Sequence, residues 1–161
     1  MIKSVQVQNL TIDNDAPFAL FGGMNVLESR DLAMKICEHY VKVTEKLGIP
    51  YVFKASFDKA NRSSDSGKRG YGFENTMSDF LLMKRTEPDL KILTDVHRET
   101  HIDLTEEFHG DAIDVYQIPA FLSRQTDLIK RACKTDKIVF RFPHSRPTSN
   151  NPIAAWLSYA S

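Results

Sequence analysis

Long apolar runs and cysteines are scarce in this chain of 161 residues. No run of about 18 consecutive apolar residues occurs, so the sequence predicts no membrane-spanning helix. The stretch Met1–Ile12 has no long apolar region, so we expect no signal peptide. The chain has only 2 cysteines, and we expect Cys37 and Cys133 to be reduced thiols in or beside helices. A cytoplasmic location is the resulting expectation.

Net charge is also absent, because 21 lysines and arginines balance 21 aspartates and glutamates. This balance predicts no general attraction to nucleic acids or to a membrane surface. Positive charge is concentrated locally, since Lys54–Arg69 holds five basic residues and two acidic ones. The length suffices for one domain with a core, but a full eight-stranded α/β barrel takes roughly 250 residues.

Strand and helix patterns alternate along the chain, which predicts a parallel α/β architecture. A short strand or hairpin is expected first, at Val5–Ile12. The expected strands that follow are Phe18–Phe21, Ile49–Phe53, Lys91–Val96, Ala112–Ile118 and Lys137–Phe142. The expected helices are Arg30–Leu47, Glu74–Arg85, one that Thr100 or Asp103 caps and that ends at Phe108, and one from a Ser123 cap to Lys134.

The clearest helical pattern lies between Ser29 and Gly48. Serine is a favoured N-cap, and glycine is the usual residue just beyond a helix C-terminus. Apolar residues recur between them at steps of three or four, which predicts one buried face. That face would consist of Leu32, Ile36, Tyr40, Val43 and Leu47.

A polar segment, Lys54–Ser64, follows the apolar run at Ile49–Phe53. It contains two lysines, one arginine, one asparagine and three serines. Lysine supplies a point charge, arginine a planar fork, and serine and asparagine hydrogen bonds, a combination that suits a phosphate group. Ligands of parallel α/β proteins bind at the carboxyl ends of the strands. The spacing alone also fits a solvated surface loop.

Other candidate groups are weaker. Asp95 and His97 end a predicted strand, where a carboxylate could bind a sugar hydroxyl or orient water; an aspartate that only caps the core fits equally well. Arg124 fits either a ligand site or an ordinary helix surface. The other histidines lie in predicted helices or at helix ends and are expected at the surface: His39, His101 and His109. The sequence has no zinc-ligand spacing.

Two segments of the sequence, Phe21–Ser29 and Lys54–Ser64, resemble motifs of the 3-deoxy-D-manno-octulosonate 8-phosphate synthase family. The resemblance runs from about Phe18 to about Thr135 and ends near Val139. It implies a TIM (β/α)8 barrel, represented here by about the first five strands after an N-terminal strand or hairpin. We therefore expect a partial barrel domain at 1–139 and a divergent tail at 140–161. A frameshift would explain such a tail, and a truly diverged terminus is the alternative.

The resemblance also implies an activity, the condensation of phosphoenolpyruvate with arabinose 5-phosphate in lipopolysaccharide precursor biosynthesis. Lys54 would face phosphoenolpyruvate, and Lys59 would lie between the two substrates as a catalytic residue. Asn25 implies the metal-independent class, so we expect no metal and no cofactor. The other implied catalytic residues are Asp95 and His97, and the other implied substrate-binding residues are Ser56, Asn61, Arg62, Ser63, Gln117, Ala120 and Arg124. The full-length family is oligomeric, which implies a homo-oligomer.

The chain departs from that family at several positions. Arg98 stands where the family usually has glutamate, and Tyr71 where it has proline. Lys137 and Arg141 would be imperfect substitutes for a family lysine that contacts phosphoenolpyruvate. A later arginine, histidine and aspartate of the family lie beyond the end of the resemblance. Three functions stay open: the synthase, a phosphate-binding half barrel without turnover, and the related heptulosonate 7-phosphate synthase.

Overall fold

The computed structural model describes residues 4–13, 15–59 and 69–141. The predictions for Asn61, Arg62 and Ser63, and nearly all of the expected tail, lie outside these residues. The strands are β1 (Val5–Val7), β2 (Leu10–Ile12), β3 (Leu20–Gly23), β4 (Tyr51–Lys54), β5 (Lys91–Asp95), β6 (Val115–Ile118) and β7 (Ile138–Arg141). The helices are α1 (Arg30–Leu47), α2 (Phe73–Thr86), α3 (Glu99–Phe108) and α4 (Thr126–Ala132).

The last five strands form one parallel sheet in chain order, from β3 at one edge to β7 at the other. Strands β1 and β2 form a separate antiparallel hairpin. The α/β class is therefore confirmed, with the strand order of a partial TIM-type barrel and the hairpin expected before it. Strand β7 crosses the domain boundary expected at residue 139, and that boundary stays a prediction.

Side chains of the sheet alternate between two cores, as the period of two along a strand requires. Phe53 and Ile92 point to the helices and pack with Phe80 of α2 in one core. Val52 and Leu93 point to the opposite face, where the hairpin covers them. The hairpin contributes its buried positions to this second core: Val5, Val7, Leu10 and Ile12.

Helix α1 has the predicted ends. The Ser29 hydroxyl accepts from the Leu32 N–H at 3.4 Å, and Gly48 adopts a left-handed conformation with φ of 65°. The Gly48 and Ile49 N–H groups then donate to carbonyls of the last turn. Both signals are local, so the sequence was sufficient to predict them.

The buried face of α1 agrees with the predicted one only in part, since Ile36 and Tyr40 of that face are half-buried. Leu32, Val43 and Leu47 are exposed, and the buried residues are Ala33, Cys37 and Thr44. The helix packs its small side chains against the sheet. The Thr44 hydroxyl is satisfied because it donates within the helix, to the Tyr40 carbonyl at 2.7 Å.

Other boundaries also differ from the predictions, most clearly in β3, α4 and β6. Strand β3 begins at Leu20, and Phe18 is exposed. Helix α4 begins at Thr126, because Ser123 is buried after a 3₁₀ turn at Ala120–Leu122 instead of capping the helix. Strand β6 begins at Val115, since a second 3₁₀ turn occupies Gly110–Ala112.

Helix α3 begins at Glu99, so neither predicted cap is one: Thr100 and Asp103 lie within the helix. Both cysteines are free thiols, as predicted, and burial raises the pKa of Cys37 to about 12. No helix among the described residues is long and apolar enough to cross a membrane.

Candidate active site at the carboxyl ends of the strands

A layer of polar side chains lies at the carboxyl end of the sheet, on the face that the hairpin covers; the apolar side chains of that face are called inward-facing below. Lys54, Asp95 and Gln117 each lie two residues beyond an inward-facing apolar residue of the same strand, so they share its face. Asp95 also pairs directly with Gln117 in the register of β5 and β6. Parallel strands thus bring together residues that are more than 60 positions apart in sequence (Lys54 to Gln117).

The Ser56 hydroxyl is the centre of this layer. It accepts from the Lys59 ammonium at 2.9 Å and from the Lys54 ammonium at 3.3 Å, and the side chain is fully buried. A single neutral oxygen cannot neutralise two ammonium groups. Neither lysine forms an ion pair with a carboxylate in the parts of the chain that the structure describes. The layer therefore has positive charge left for an anionic ligand.

Asp95 and His97 form a second pair at the same edge. His97 Nε2 lies 2.7 Å from Asp95 Oδ2, which fixes the imidazole with its proton on Nε2. Asp95 Oδ1 is buried and has no hydrogen-bond partner among the described residues. An acceptor left open in a buried position is suited to a substrate hydroxyl or a water molecule.

The ionisation of these groups depends on one another. Burial lowers the pKa of Lys54, and the charge of Lys59 lowers it further, while Asp95 opposes both effects. Burial alone would raise the pKa of Asp95, but the hydrogen bond with His97, the nearby Ser56 hydroxyl and the charge of Lys54 outweigh it, so this pKa is lowered. Asp95 is consequently an acceptor at neutral pH, and Lys54 is closer to giving up a proton than an ordinary lysine.

Asn25 lies beside this cluster because the segment after β3 continues along β4. The Met24 N–H donates to the Lys54 carbonyl and the Leu27 N–H to the Ser56 carbonyl, both at 2.8 Å. Gly23 permits this approach, since a Cβ atom there would collide with the Lys54 carbonyl oxygen. The Asn25 side chain itself is exposed and open to a ligand.

The stem of the 60–68 segment is fixed on both sides. The Lys59 N–H donates to the Arg69 carbonyl at 2.7 Å, and the Arg69 guanidinium forms a two-pronged ion pair with Asp58. Tyr71 donates its N–H to the Leu27 carbonyl at 2.9 Å, a bond that the proline expected from the family could not make. These contacts hold Lys59 against Ser56.

The remaining predicted residues are less closely joined to this cluster. Ala120 and Arg124 are exposed beyond the end of β6, and Arg124 forms no hydrogen bond or ion pair within the described residues. Lys137 lies before β7, at the opposite end of the sheet, where its ammonium donates to the Gly110 carbonyl. It therefore cannot stand in for a lysine at the site, whereas Arg141 ends β7 on the correct side.

The sequence-based prediction that His101 lies at the surface was wrong. His101 is buried, with its ring between Phe57 and Phe73, and Arg98 donates to its Nε2 at 2.9 Å. Phe57 also contacts the His97 ring, with centroids 5.1 Å apart. The aromatic residues come from two distant segments, so only the helical spacing of Arg98 and His101 was available as a sequence signal.

Lys54 and Lys59 share one hydroxyl, and Asp95 has a lowered pKa and one buried oxygen without a partner among the described residues. Such groups can bind phosphate and carboxylate groups and orient a hydroxyl or water. No group of three or more histidine, cysteine or carboxylate side chains suited to a metal ion occurs in the described part of the chain.

Comparison with known proteins identifies the lineage of this site. Residues 2–142 match the family model described as the DAHP synthetase I family. The chain belongs to the DAHP synthetase I family. Within it, the chain is similar to proteins named 2-dehydro-3-deoxyphosphooctonate aldolase: 58% identical over 137 residues to that of Vibrio atlanticus, with 85% of this chain and 46% of the relative covered.

Two further relatives carry the same name. The protein of Vibrio cholerae is 58% identical over 137 residues, 85% of this chain and 47% of the relative. That of Salmonella paratyphi A is 56% identical over 137 residues, 85% and 46%. The chain therefore spans about half the length of the curated relatives it matches. The predicted resemblance of this chain to the octulosonate phosphate synthases is confirmed.

Proposed function

We propose that this chain binds phosphoenolpyruvate and arabinose 5-phosphate and contributes to their condensation to 3-deoxy-D-manno-octulosonate 8-phosphate and inorganic phosphate. The observation that carries the proposal is the pair Lys54 and Lys59, which meet over Ser56 without a carboxylate ion pair among the described residues. The names of the relatives support the substrate assignment.

The reaction needs groups of this kind. C3 of phosphoenolpyruvate attacks the aldehyde carbon, a C–C bond forms, and the aldehyde oxygen takes up a proton. Water adds at C2 and gives up a proton, and phosphate leaves as the bond from C2 to its oxygen breaks. Two anionic substrates must be held side by side, so positive charge and positioning are the main requirements.

Each residue then has a role. Lys54 holds the phosphoenolpyruvate anion, and Lys59, between the substrates, donates to the aldehyde oxygen as its charge develops. Asp95, oriented by His97, accepts from a substrate hydroxyl or from the attacking water through its open oxygen. Asn25 offers an amide beside them. Arg62, with Asn61 and Ser63, takes the pentose phosphate, and Gln117, Ala120 and Arg124 complete the phosphate sites.

A second candidate is a domain that binds phosphate esters without turnover. It is favoured by the share of the relatives that the chain spans, which is about half of their length. The heptulosonate synthase alternative has the family description in its favour, but the similar relatives are named for the octulosonate product.

Phosphate release tests these alternatives. The purified chain is incubated with phosphoenolpyruvate and either arabinose 5-phosphate or erythrose 4-phosphate, and binding of each ester is measured by calorimetry. Release with arabinose 5-phosphate, abolished by Lys59→Ala, supports the synthase. Faster release with erythrose 4-phosphate overturns the octulosonate assignment. Binding without release supports the second candidate, and no binding of either ester overturns both.

A variant outside the described residues sharpens the assignment of the two phosphates. Arg62→Ala should raise the KM for arabinose 5-phosphate more than that for phosphoenolpyruvate, because Arg62 is assigned to the pentose phosphate. Equal effects on both KM values would contradict that assignment. A cytoplasmic location, homo-oligomeric assembly and a role in lipopolysaccharide precursor synthesis are parts of the same proposal.

A further inference from the structure

Arg98 lies at the edge of the site and has no carboxylate partner in the part of the chain that the structure describes. It follows His97 directly, stands at the N-cap of α3 and is exposed. Among the described residues its side chain forms no ion pair, and the one hydrogen bond of the side chain runs from Nε to Nε2 of His101 at 2.9 Å. The two terminal nitrogens of its planar fork are therefore available to a ligand.

His101 is held in place by aromatic rings. Its ring stacks on Phe73 at 5.3 Å with an interplanar angle of 15°, and meets Phe57 edge-on at 4.7 Å and 83°. Its second nitrogen, Nδ1, faces the backbone N–H of His97 at 3.3 Å. The ring thus lies between Arg98 and the backbone of a residue that orients Asp95.

The two donors compete for one ring. Burial, then the charges of Arg98 and His97, lower the pKa of His101 to about 4, so the imidazole is neutral at pH 7. A neutral imidazole carries one N–H and accepts at one nitrogen only. When Nε2 accepts from Arg98, the ring proton is on Nδ1, so that the Nδ1–H and the His97 N–H are two donors facing each other. One of the two donors is therefore unsatisfied in this arrangement.

We propose that Arg98 is an additional oxyanion-binding residue of this site, and that His101 is the partner it leaves when a phosphate ester binds. An arginine–phosphate contact is charge-assisted and two-pronged, so it is stronger than the bond to a neutral imidazole. Departure of Arg98 lets the ring proton move to Nε2. Nδ1 then accepts from the His97 N–H, and the bound anion fixes the turn that carries His97. The inference rests on the proposed function, since the ligand is a substrate of that reaction.

The test uses the full 161-residue chain with ¹⁵N-labelled histidine. The ring ¹⁵N shifts distinguish the Nδ1–H from the Nε2–H form, and the His101 signals are assigned by their loss in His101→Phe. Arabinose 5-phosphate, phosphoenolpyruvate and inorganic phosphate are titrated separately. We expect His101 to change from the Nδ1–H to the Nε2–H form on binding.

Arg98→Ala should weaken binding of the recognised ester by about tenfold, the loss of one charge-assisted contact. Without ligand it should already contain His101 in the Nε2–H form, which a merely structural role of Arg98 would not produce. Arg98→Lys keeps the charge without the fork, so its affinity should be intermediate. Arg85→Ala is the control, because this exposed arginine lies in the last turn of α2, at the opposite end of the sheet.

The outcomes separate the two proposals. Wild-type binding with an unchanged affinity in Arg98→Ala and a constant His101 tautomer overturns this inference alone. Failure of the wild-type chain to bind either ester overturns the proposed function as well. The ester whose affinity falls in Arg98→Ala identifies whose phosphate Arg98 meets, and a loss for inorganic phosphate alone means that no substrate meets it and overturns the inference.

Discussion

The two ends of the parallel sheet use lysines in opposite ways. At the carboxyl end, Lys54 and Lys59 converge on the neutral Ser56 hydroxyl. At the amino end, Lys84 pairs with Asp114 at 2.8 Å. The Lys91 ammonium donates to the Asp89 carbonyl and has the negative charges of Asp89 and Asp114 nearby. Burial is the largest influence on both Lys54 and Lys91, and it lowers the pKa of each.

The difference lies in what compensates the charge. Asp114 accepts from Lys84, Gln8 and the Ile92 N–H, so this carboxylate joins the hairpin, α2 and β5. Charges that balance within the fold stabilise it, whereas charges that remain uncompensated are available to a ligand. Chemically similar residues thus serve stability at the amino end and, under the proposed function, ligand recognition at the carboxyl end.

The largest expected effect concerns the apolar contact beneath the polar layer. Leu93→Ala should lower the free energy of unfolding by about 3 kcal/mol, because Leu93 is buried between β5 and the hairpin. Urea denaturation measures the loss. Leu47→Ala makes the same chemical change at an exposed site on α1 and should cost less than about 1 kcal/mol. Similar losses in both variants would contradict the role of the hairpin as a core element.

The ion pair at the amino end should come next. Lys84→Met keeps the length of the side chain but leaves Asp114 uncompensated, so it should cost about 2 kcal/mol of stability. Binding of phosphate esters should be unchanged. Adding Asp114→Asn should recover part of the loss, because no isolated charge then remains; a further loss of the full size would argue against a charge effect.

The matched change at the carboxyl end should give the reverse pattern. Lys59→Met should weaken binding of phosphoenolpyruvate or arabinose 5-phosphate by about tenfold, since one ammonium contact is lost. Stability should change by less than about 0.5 kcal/mol, because the partner of the Lys59 ammonium among the described residues is a neutral hydroxyl. Calorimetry and urea denaturation of the two methionine variants, side by side, would disprove the contrast if both affected the same property.

The smallest effect is a pH dependence. The folded chain holds His101 with a pKa of about 4, against 6.5 when it is unperturbed, with burial as the largest cause. Between these values the unfolded chain binds a proton that the folded chain does not, so His101 lowers stability as the pH falls from 6.5 towards 4. His101→Phe keeps the ring contacts and should flatten this part of the profile. An unchanged slope in denaturation midpoints across that range would contradict the buried neutral state.

Sequence was most informative where the determinants are local. The ends of α1 follow from Ser29 and Gly48, which act on their own turn of helix. The positions of Lys54 and Asp95 at the carboxyl edge follow from the end of an apolar run, a property of a few neighbouring residues. The parallel α/β architecture followed from the alternation of strand and helix, because parallel neighbours require crossovers.

Sequence was least informative where burial depends on distant partners. Large apolar residues on α1 predicted one face, but the sheet is approached by the small residues Ala33 and Cys37. The burial of His101 could not be predicted, because the rings that cover it, Phe57 and Phe73, lie in other segments of the chain. Serine is a favoured N-cap residue, yet Ser123 directly follows a 3₁₀ turn and the helix begins only at Thr126.

The contacts that join Lys59 and Asp58 to Arg69 hold the two ends of the 60–68 segment together. The backbone hydrogen bond and the ion pair to Asp58 close the ends of the 60–68 segment independently of what that segment contains. The entropic cost of a closed segment grows only slowly with length, by roughly 0.6 kcal/mol per doubling. Under the proposed function, replacements or insertions between these ends would change which acceptor sugar is bound while Lys59 keeps its place, so acceptor selectivity and the condensation step would vary independently.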